Sequence, residues 1–194
     1  MAEISTPTYK IRYAQESDVP TILQLINELA SYEKALHEVL ATEETLRETL
    51  SFPDKSAQGG FTQGYAKTLL IEPVTTKDDS ASGVAGMALY FHNYSTWRAA
   101  PGIFLEDLFV RPSYRGQGFG GALIQALARE CLRLKCKRLE WSVLKWNEPS
   151  IKFYQGPSIN ATRMEEWVGM RVDGEPLEEL ARRGPNDKNG RVVG

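Results

Sequence analysis

The run Leu105-Glu-Asp-Leu-Phe-Val110-Arg-Pro-Ser-Tyr-Arg115-Gly-Gln-Gly-Phe-Gly-Gly121 decides how the chain is read. Its first half belongs to Ile103-Phe-Leu-Glu-Asp-Leu-Phe-Val110, a stretch of β-forming residues that reads as a buried strand. Arg111-Pro112 ends that strand, since proline cannot donate to a sheet ladder. Its second half, Arg115-Gly-Gln-Gly-Phe-Gly-Gly121, opens a segment in which Leu123, Ile124, Leu127, Ala128 and Leu132 recur at helical spacing, predicting a helix over residues 118–135. Between strand and helix, small residues let several backbone N–H groups point into one concavity at the positive end of the helix dipole. That arrangement suits a pyrophosphate. A nucleotide P-loop would end in Gly-Lys-Ser/Thr, which is missing, and a dinucleotide fingerprint would follow the first strand of a βαβ unit, whereas these glycines follow a late strand. Taken alone, the same residues also read as an ordinary helix-start loop.

Working outward, residues 9–14 alternate as a short strand, and Val19, Ile22, Leu25, Ile26 and Leu29 then mark a helix. A second helix follows Thr42, with Leu46 and Leu50 on one face, and stops at Phe52-Pro53. Residues 64–74 and 83–93 are rich in β-formers and flank the polar run 75–82, predicting a hairpin. Beyond the long helix, residues 137–146 read as a strand, Asn147 as the cap of a short helix reaching Tyr154, and residues 167–172 as a final strand. The predicted class is therefore α/β (α+β), a single mixed sheet with helices on its faces. One domain over residues 9–183 is expected, with a flexible N-terminus over 1–8 and a flexible tail over 184–194.

Composition narrows the function. With 23 basic and 25 acidic residues the net charge is −2, so no excess positive charge is available to track nucleic acid. Cys131 and Cys136 lie five apart, neither a metal-ligand nor a disulfide-framework spacing, and read as reduced thiols. His37 and His92 are the only histidines, and no metal is expected. No stretch approaches the ~18 apolar residues of a membrane span, and the start of the chain lacks a basic region followed by an apolar run. A cytoplasmic location is the expectation, with a nuclear one as the alternative.

Arg115-x-x-Gly118-x-Gly120 resembles the acyl-CoA pyrophosphate motif of the GNAT acetyltransferase superfamily, in which strand, motif and helix follow in this order. Three further stretches, Leu105-Glu-Asp-Leu-Phe-Val110, Trp146-Asn-Glu-Pro-Ser-Ile-Lys-Phe-Tyr154 and Glu28-Leu-Ala-Ser-Tyr-Glu33, resemble its spermidine/spermine and thialysine N-acetyltransferase branch. The resemblance implies the GNAT fold, a mostly antiparallel twisted sheet, with acetyl-CoA as co-substrate and a small cationic amine as acceptor. It also implies a homodimer. Leu108, Phe109, Val110, Arg115, Gly116, Gln117, Gly118, Phe119, Gly120, Gly121, Asn147, Ser150 and Phe153 would contact the CoA, and Tyr32, Glu33 and Glu106 the amine. A departure follows Tyr154, where Gln155-Gly-Pro-Ser-Ile-Asn-Ala161 inserts residues and a proline. The register of the final strand, and the part of the amine pocket near residues 164–167, depend on that turn.

Such a reaction needs a neutral amine, and freeing the lone pair of an alkylammonium at pH 7 costs about 4–5 kcal/mol. Glu106, on the buried strand, is the candidate base, acting directly or through a water. Asp107, its neighbour, is expected on the opposite face and reads as a structural carboxylate. The departing thiolate needs a proton, which a phenol can supply, and Tyr154 stands where the family has its general acid. Each residue also has a plainer reading: Glu33 as a solvated helix end, Tyr154 as core, Asn147 as a helix cap. The cysteines follow the phosphate loop, away from the inferred acetyl position, so direct transfer is expected over a cysteine-acyl route. Acetylation of a protein lysine or N-terminus, or acetyl-CoA sensing without catalysis, are the alternatives.

Overall fold

The computed structural model describes residues 3–74 and 83–183. Six strands form one sheet in the order β1 (Ile4–Ser5), β2 (Tyr9–Tyr13), β3 (Lys67–Pro73), β4 (Gly86–Ser95), β5 (Ala100–Val110) and β6 (Leu139–Trp141). Neighbours are antiparallel except β5 and β6, which run parallel. The hairpin expected from residues 64–93 is β3 and β4, while its polar connection, 75–82, and the tail from 184 onward lie outside the described residues. Ile4–Ser5, in a stretch read as a flexible terminus, pairs with Lys10 and Ile11 instead.

Period-two alternation in the strands sorts their side chains into two apolar layers. Leu69, Ile71, Ala88, Tyr90, Ile103 and Leu105 pack with Leu123, Ile124 and Leu127 of helix α3 (Phe119–Arg133). Leu70, Met87, Leu89 and Phe109 pack on the other face with Ile22 and Leu25 of α1 (Val19–Tyr32) and Leu46 of α2 (Glu43–Thr49). Fully burying a side chain such as Leu123 or Ile22 contributes about 1.5–3 kcal/mol. These two layers are what hold β5 between the helices that frame the site.

The chain falls into two compact units, Met1–Asn160 and Ala161–Gly194. The first contains the whole sheet and the short helix α4 (Glu148–Gln155). In the second, the described element is α5 (Gly174–Arg182), with Arg182 paired to Glu178 at 2.7 Å one turn back. The strand expected over 167–172 is not present: residues 166–173 carry no ladder. Alternating apolar residues favour a strand only where a neighbouring strand satisfies their backbone groups, and none of the ladders includes this segment.

Two other expectations change in ways that shape the site. The strand expected over 137–146 pairs only at Leu139–Trp141, against Ile103–Leu105, and then leaves β5. And β5 carries a β-bulge: Tyr90 pairs with Leu105, but Leu89 pairs with Asp107, leaving Glu106 as the extra residue. The bulge inverts the alternation, so that Ile103 and Leu105 before it and Leu108 and Val110 after it meet the same α3-side layer. Asp107 therefore shares the face of Leu89 and Phe109 and does not oppose Glu106, correcting the expectation from simple alternation.

Candidate active site

Where β6 stops pairing, the two strands part and a cavity of about 700 Å³ opens between them. One wall is the rest of β5, from Leu105 to Val110, and the other is Trp141 to Leu144 with Asn147, Ser150, Phe153 and Tyr154. The end of α1 contributes Tyr32 and Glu33, and the glycine loop and start of α3 contribute Arg115, Gly116, Gly118, Phe119, Gly120 and Gly121. Every residue expected at the CoA or amine subsites thus lines one cleft, except Gln117, whose side chain turns back to the Ser113 carbonyl at 3.4 Å.

The loop has the backbone that its glycines allow. Gly116 and Gly118 have φ of 77° and 81°, left-handed values that cost side-chain-bearing residues about 1–2 kcal/mol. A Cβ built at either meets no atom within 4 Å, so the loop borders open space. No side chain caps α3, whose N-cap is Gly118, leaving first-turn amides available to an anion. These features fit a pyrophosphate-bearing ligand. Arg115 is used differently from a free phosphate cation: its Nε donates to the Val110 carbonyl at 2.9 Å, and its guanidinium lies 5.1 Å from the Tyr32 ring and 5.8 Å from that of Phe109.

Asn147 is both cap and tie. Its Oδ1 accepts from the Ser150 amide at 3.3 Å, capping α4, and from the Tyr32 hydroxyl at 3.2 Å, fastening the end of α1 to the start of α4. One turn earlier on the same face of α1, Arg111 at the end of β5 grips Glu28 with Nε and Nη2, at 3.0 Å for the closest contacts. The helix that brings Tyr32 and Glu33 to the cleft is therefore held at two points.

The electrostatics of the cleft are acidic. Glu33, Glu106 and Asp107 all line it. Burial, with the nearby charges of Glu106 and Glu33, pushes the Asp107 carboxyl up to about 6. Burial also raises Glu33. Tyr154, whose ring lies 4.9 Å from that of Trp141, is pushed up to about 12 by burial and by the charge of Glu33, so its phenol is protonated at neutral pH. Such a cleft offers a cation several carboxylates, one proton donor and an anion-binding loop within one cavity. Among the described residues, no group of three or more His, Cys, Asp or Glu side chains could hold a metal ion, and no helix is long and apolar enough to cross a membrane.

Sequence reasoning missed Asp107 and the wall Trp141, Ser142, Val143 and Leu144. A signal for Asp107 was present: apolar positions switch from odd (Ile103, Leu105) to even (Leu108, Val110) across two adjacent carboxylates, the mark of a bulge. The wall had no comparable signal, because parting of strands depends on where pairing ends.

The parallel strand pair that parts beside a glycine loop at a helix start leaves one cleft bordered by an anion-binding turn. Residues 33–156 match the acetyltransferase (GNAT) family, and the chain belongs to it, an acetyltransferase family whose co-substrate is acetyl-CoA. It is an N-acetyltransferase. The chain is 36% identical over 176 residues to the thialysine N-epsilon-acetyltransferase of Mus musculus, covering 90% of this chain and 98% of that one. It is 31% identical over 200 residues to the L-ornithine N5-acetyltransferase NATA1 of Arabidopsis thaliana, covering 88% and 87%. In fold it is similar to an integron cassette protein from the mobile metagenome of V. cholerae, with a TM-score of 0.68 at 24% identity over 90% of this chain and 98% of that one.

Proposed function

We propose that the chain transfers acetyl directly from acetyl-CoA to a primary amine of a small cationic substrate, a polyamine or diamine or a thialysine-like amino acid. The observation that carries this reading is the single cleft in which the glycine loop, three carboxylates and Tyr154 converge where β5 and β6 part. The names of the relatives, a thialysine and an ornithine acetyltransferase, support an amine carried on a short chain.

In this reading, bound acetyl-CoA supplies an activated thioester carbonyl. The amides at the start of α3 and the left-handed glycines Gly116 and Gly118 hold the pyrophosphate, and Leu108 to Val110 align the pantetheine arm. Glu33 and Glu106 attract the ammonium, and Glu106 takes its proton, directly or through a water, as the nitrogen attacks. A backbone N–H of β5 near Leu108 stabilises the charge that develops on the carbonyl oxygen. As the carbon–sulfur bond breaks, Tyr154 gives its phenol proton to the departing thiolate; its raised proton affinity keeps that proton available at neutral pH. Cys131 and Cys136 are buried outside the cleft, in keeping with direct transfer. A homodimer working in the cytoplasm completes the proposal, with sedimentation as the test of the assembly.

The test is initial-rate release of CoA thiol with acetyl-CoA against spermidine, putrescine, thialysine and lysine, for the natural sequence and Tyr154→Phe. Turnover of one or more amines, falling at least about tenfold in the variant, or roughly 1.4 kcal/mol of barrier, is the expected result. Full activity of the variant removes Tyr154 from the acid role. Activity on intact proteins with none on small amines replaces this reading with protein acetylation.

A further inference from the structure

We propose that Lys34 selects amino-acid acceptors by binding their α-carboxylate while the acidic cleft holds the side-chain ammonium. The inference rests on the small-amine reading above and narrows it to basic amino acids over diamines.

The first observation is in the backbone. Helix α1 closes with a Schellman turn: the Lys34 amide donates to the Ser31 carbonyl at 3.1 Å and the Ala35 amide to that of Ala30 at 2.8 Å. Lys34 occupies the left-handed position of that turn, with φ of 62°, where glycine is the relaxed residue. A lysine there accepts backbone strain immediately after the cleft residue Glu33.

The second is where its ammonium goes. Lys34 Nζ lies over the Trp146 ring, 5.7 Å from its centroid, and among the described residues no carboxylate pairs with it. Trp146 stands between Leu144 and Asn147, both lining the cleft, and its ring is 6.1 Å from that of Tyr32, another lining residue. The cation is thus held beside the cleft by a weak ring contact that a carboxylate can replace with a charge-assisted hydrogen bond.

The third is what the cleft lacks. Among the described residues, its lining offers an amine three carboxylates, Glu33, Glu106 and Asp107, but only one cation, Arg115. That guanidinium is already committed to the Val110 carbonyl and lies against the rings of Tyr32 and Phe109. A diamine needs nothing more. An amino acid such as ornithine brings a carboxylate that must be paired or left facing three like charges, and Lys34 is the cation placed to pair it.

The test compares acceptors that differ by that carboxylate alone: ornithine with putrescine, and lysine with cadaverine, at saturating acetyl-CoA. Rates are measured for the natural sequence, Lys34→Gly and Lys34→Arg. Glycine removes the ammonium and relaxes the turn, so melting temperature should hold or rise, which separates lost selectivity from lost folding. The expected result is a fall of at least tenfold in the ratio of kcat/KM for amino acid over diamine in Lys34→Gly, borne by the amino-acid KM more than by kcat, with Lys34→Arg retaining most of the ratio. An unchanged ratio in Lys34→Gly overturns the proposal. Turnover of diamines but of no amino acid by the natural sequence also overturns it, while leaving the small-amine reading standing; turnover of neither class removes both.

Discussion

Glu106 and Asp107, consecutive in β5, open on the same cleft because the bulge opposite Leu89 and Tyr90 suspends the alternation between them. Two carboxylates so placed cannot both ionise without cost, and the cost falls on Asp107, which burial and the charges of Glu106 and Glu33 raise to about 6.

A carboxyl raised in the folded state favours the folded state when protonated, so its stabilisation is complete below its unfolded value and is lost as pH rises through about 6. Asp107→Asn should therefore raise Tm at pH 8, by roughly 2–4 °C for each kcal/mol of repulsion relieved in a chain of this size, and the gain should vanish toward pH 4. Thermal melts of both proteins across that range check it. An equal gain at both ends would mean that Asp107 is ionised throughout. The same titration should make the cleft a poorer ammonium binder below about pH 6, seen as a rise in the amine KM.

Glu106 is the bulged, exposed residue of the pair, free to reach an incoming amine. Glu106→Gln keeps its shape and removes its basicity, so kcat/KM for the amine should fall roughly 10²-fold or more at pH 7. The deficit should narrow as pH rises toward the pKa of the free amine, about 10, because solvent then supplies the neutral nucleophile. A pH-rate profile of variant and natural protein measures this. A deficit constant with pH would assign Glu106 to binding and leave the base elsewhere.

Gly118 carries φ of 81° at the start of α3 with open space where a Cβ would stand. Gly118→Ala meets no clash, so its effect isolates the backbone: a left-handed alanine costs about 1–2 kcal/mol, relieved only if the loop moves. The acetyl-CoA affinity should weaken roughly tenfold while the amine KM changes little. Calorimetric titration with CoA is the measurement, and undiminished affinity would take the loop amides out of the phosphate site.

How far the site could be read beforehand follows the range of the interactions that build it. The glycine loop, the Asn147 cap and the helical placement of Tyr154 are local, set by dihedral preference and side-chain reach within a few residues, and the structure has each in its expected element. That Tyr32 and Glu33 from α1 meet Asn147 and Tyr154 from α4 came from family resemblance, since their approach depends on the Arg111 and Glu28 contact and the Tyr32 hydroxyl bond, which no local pattern contains. The face of Asp107 was misread because alternation assumes an unbroken ladder. The strand over 167–172 was misread because its apolar pattern says nothing of whether an edge is available to it.

The C-terminal end of α3 carries a buried polar network whose strength can be tested separately from catalysis. Glu130 of α3, its side chain 1% exposed, accepts from the Tyr13 hydroxyl at 2.8 Å and from Arg133 at 2.7 and 2.8 Å, and the Tyr13 hydroxyl meets that of Tyr90 at 3.2 Å. Burial alone would raise this carboxyl, but the hydrogen bonds from Arg133 and Tyr13 outweigh it and hold the group down at about 2. A depressed carboxyl contributes stability that is fully present above its unfolded value and lost as pH falls toward the folded one. Discounted for the half-exposed Arg133, the contribution is about 2–3 kcal/mol at pH 7. Glu130→Gln should therefore lose that amount in urea denaturation at pH 7 and progressively less as pH falls from about 4.5 toward 2, while CoA binding, at the opposite end of α3, is retained. A deficit of the same size at pH 7 and pH 3 would show that the amide disrupts packing and that the charge of Glu130 contributes nothing.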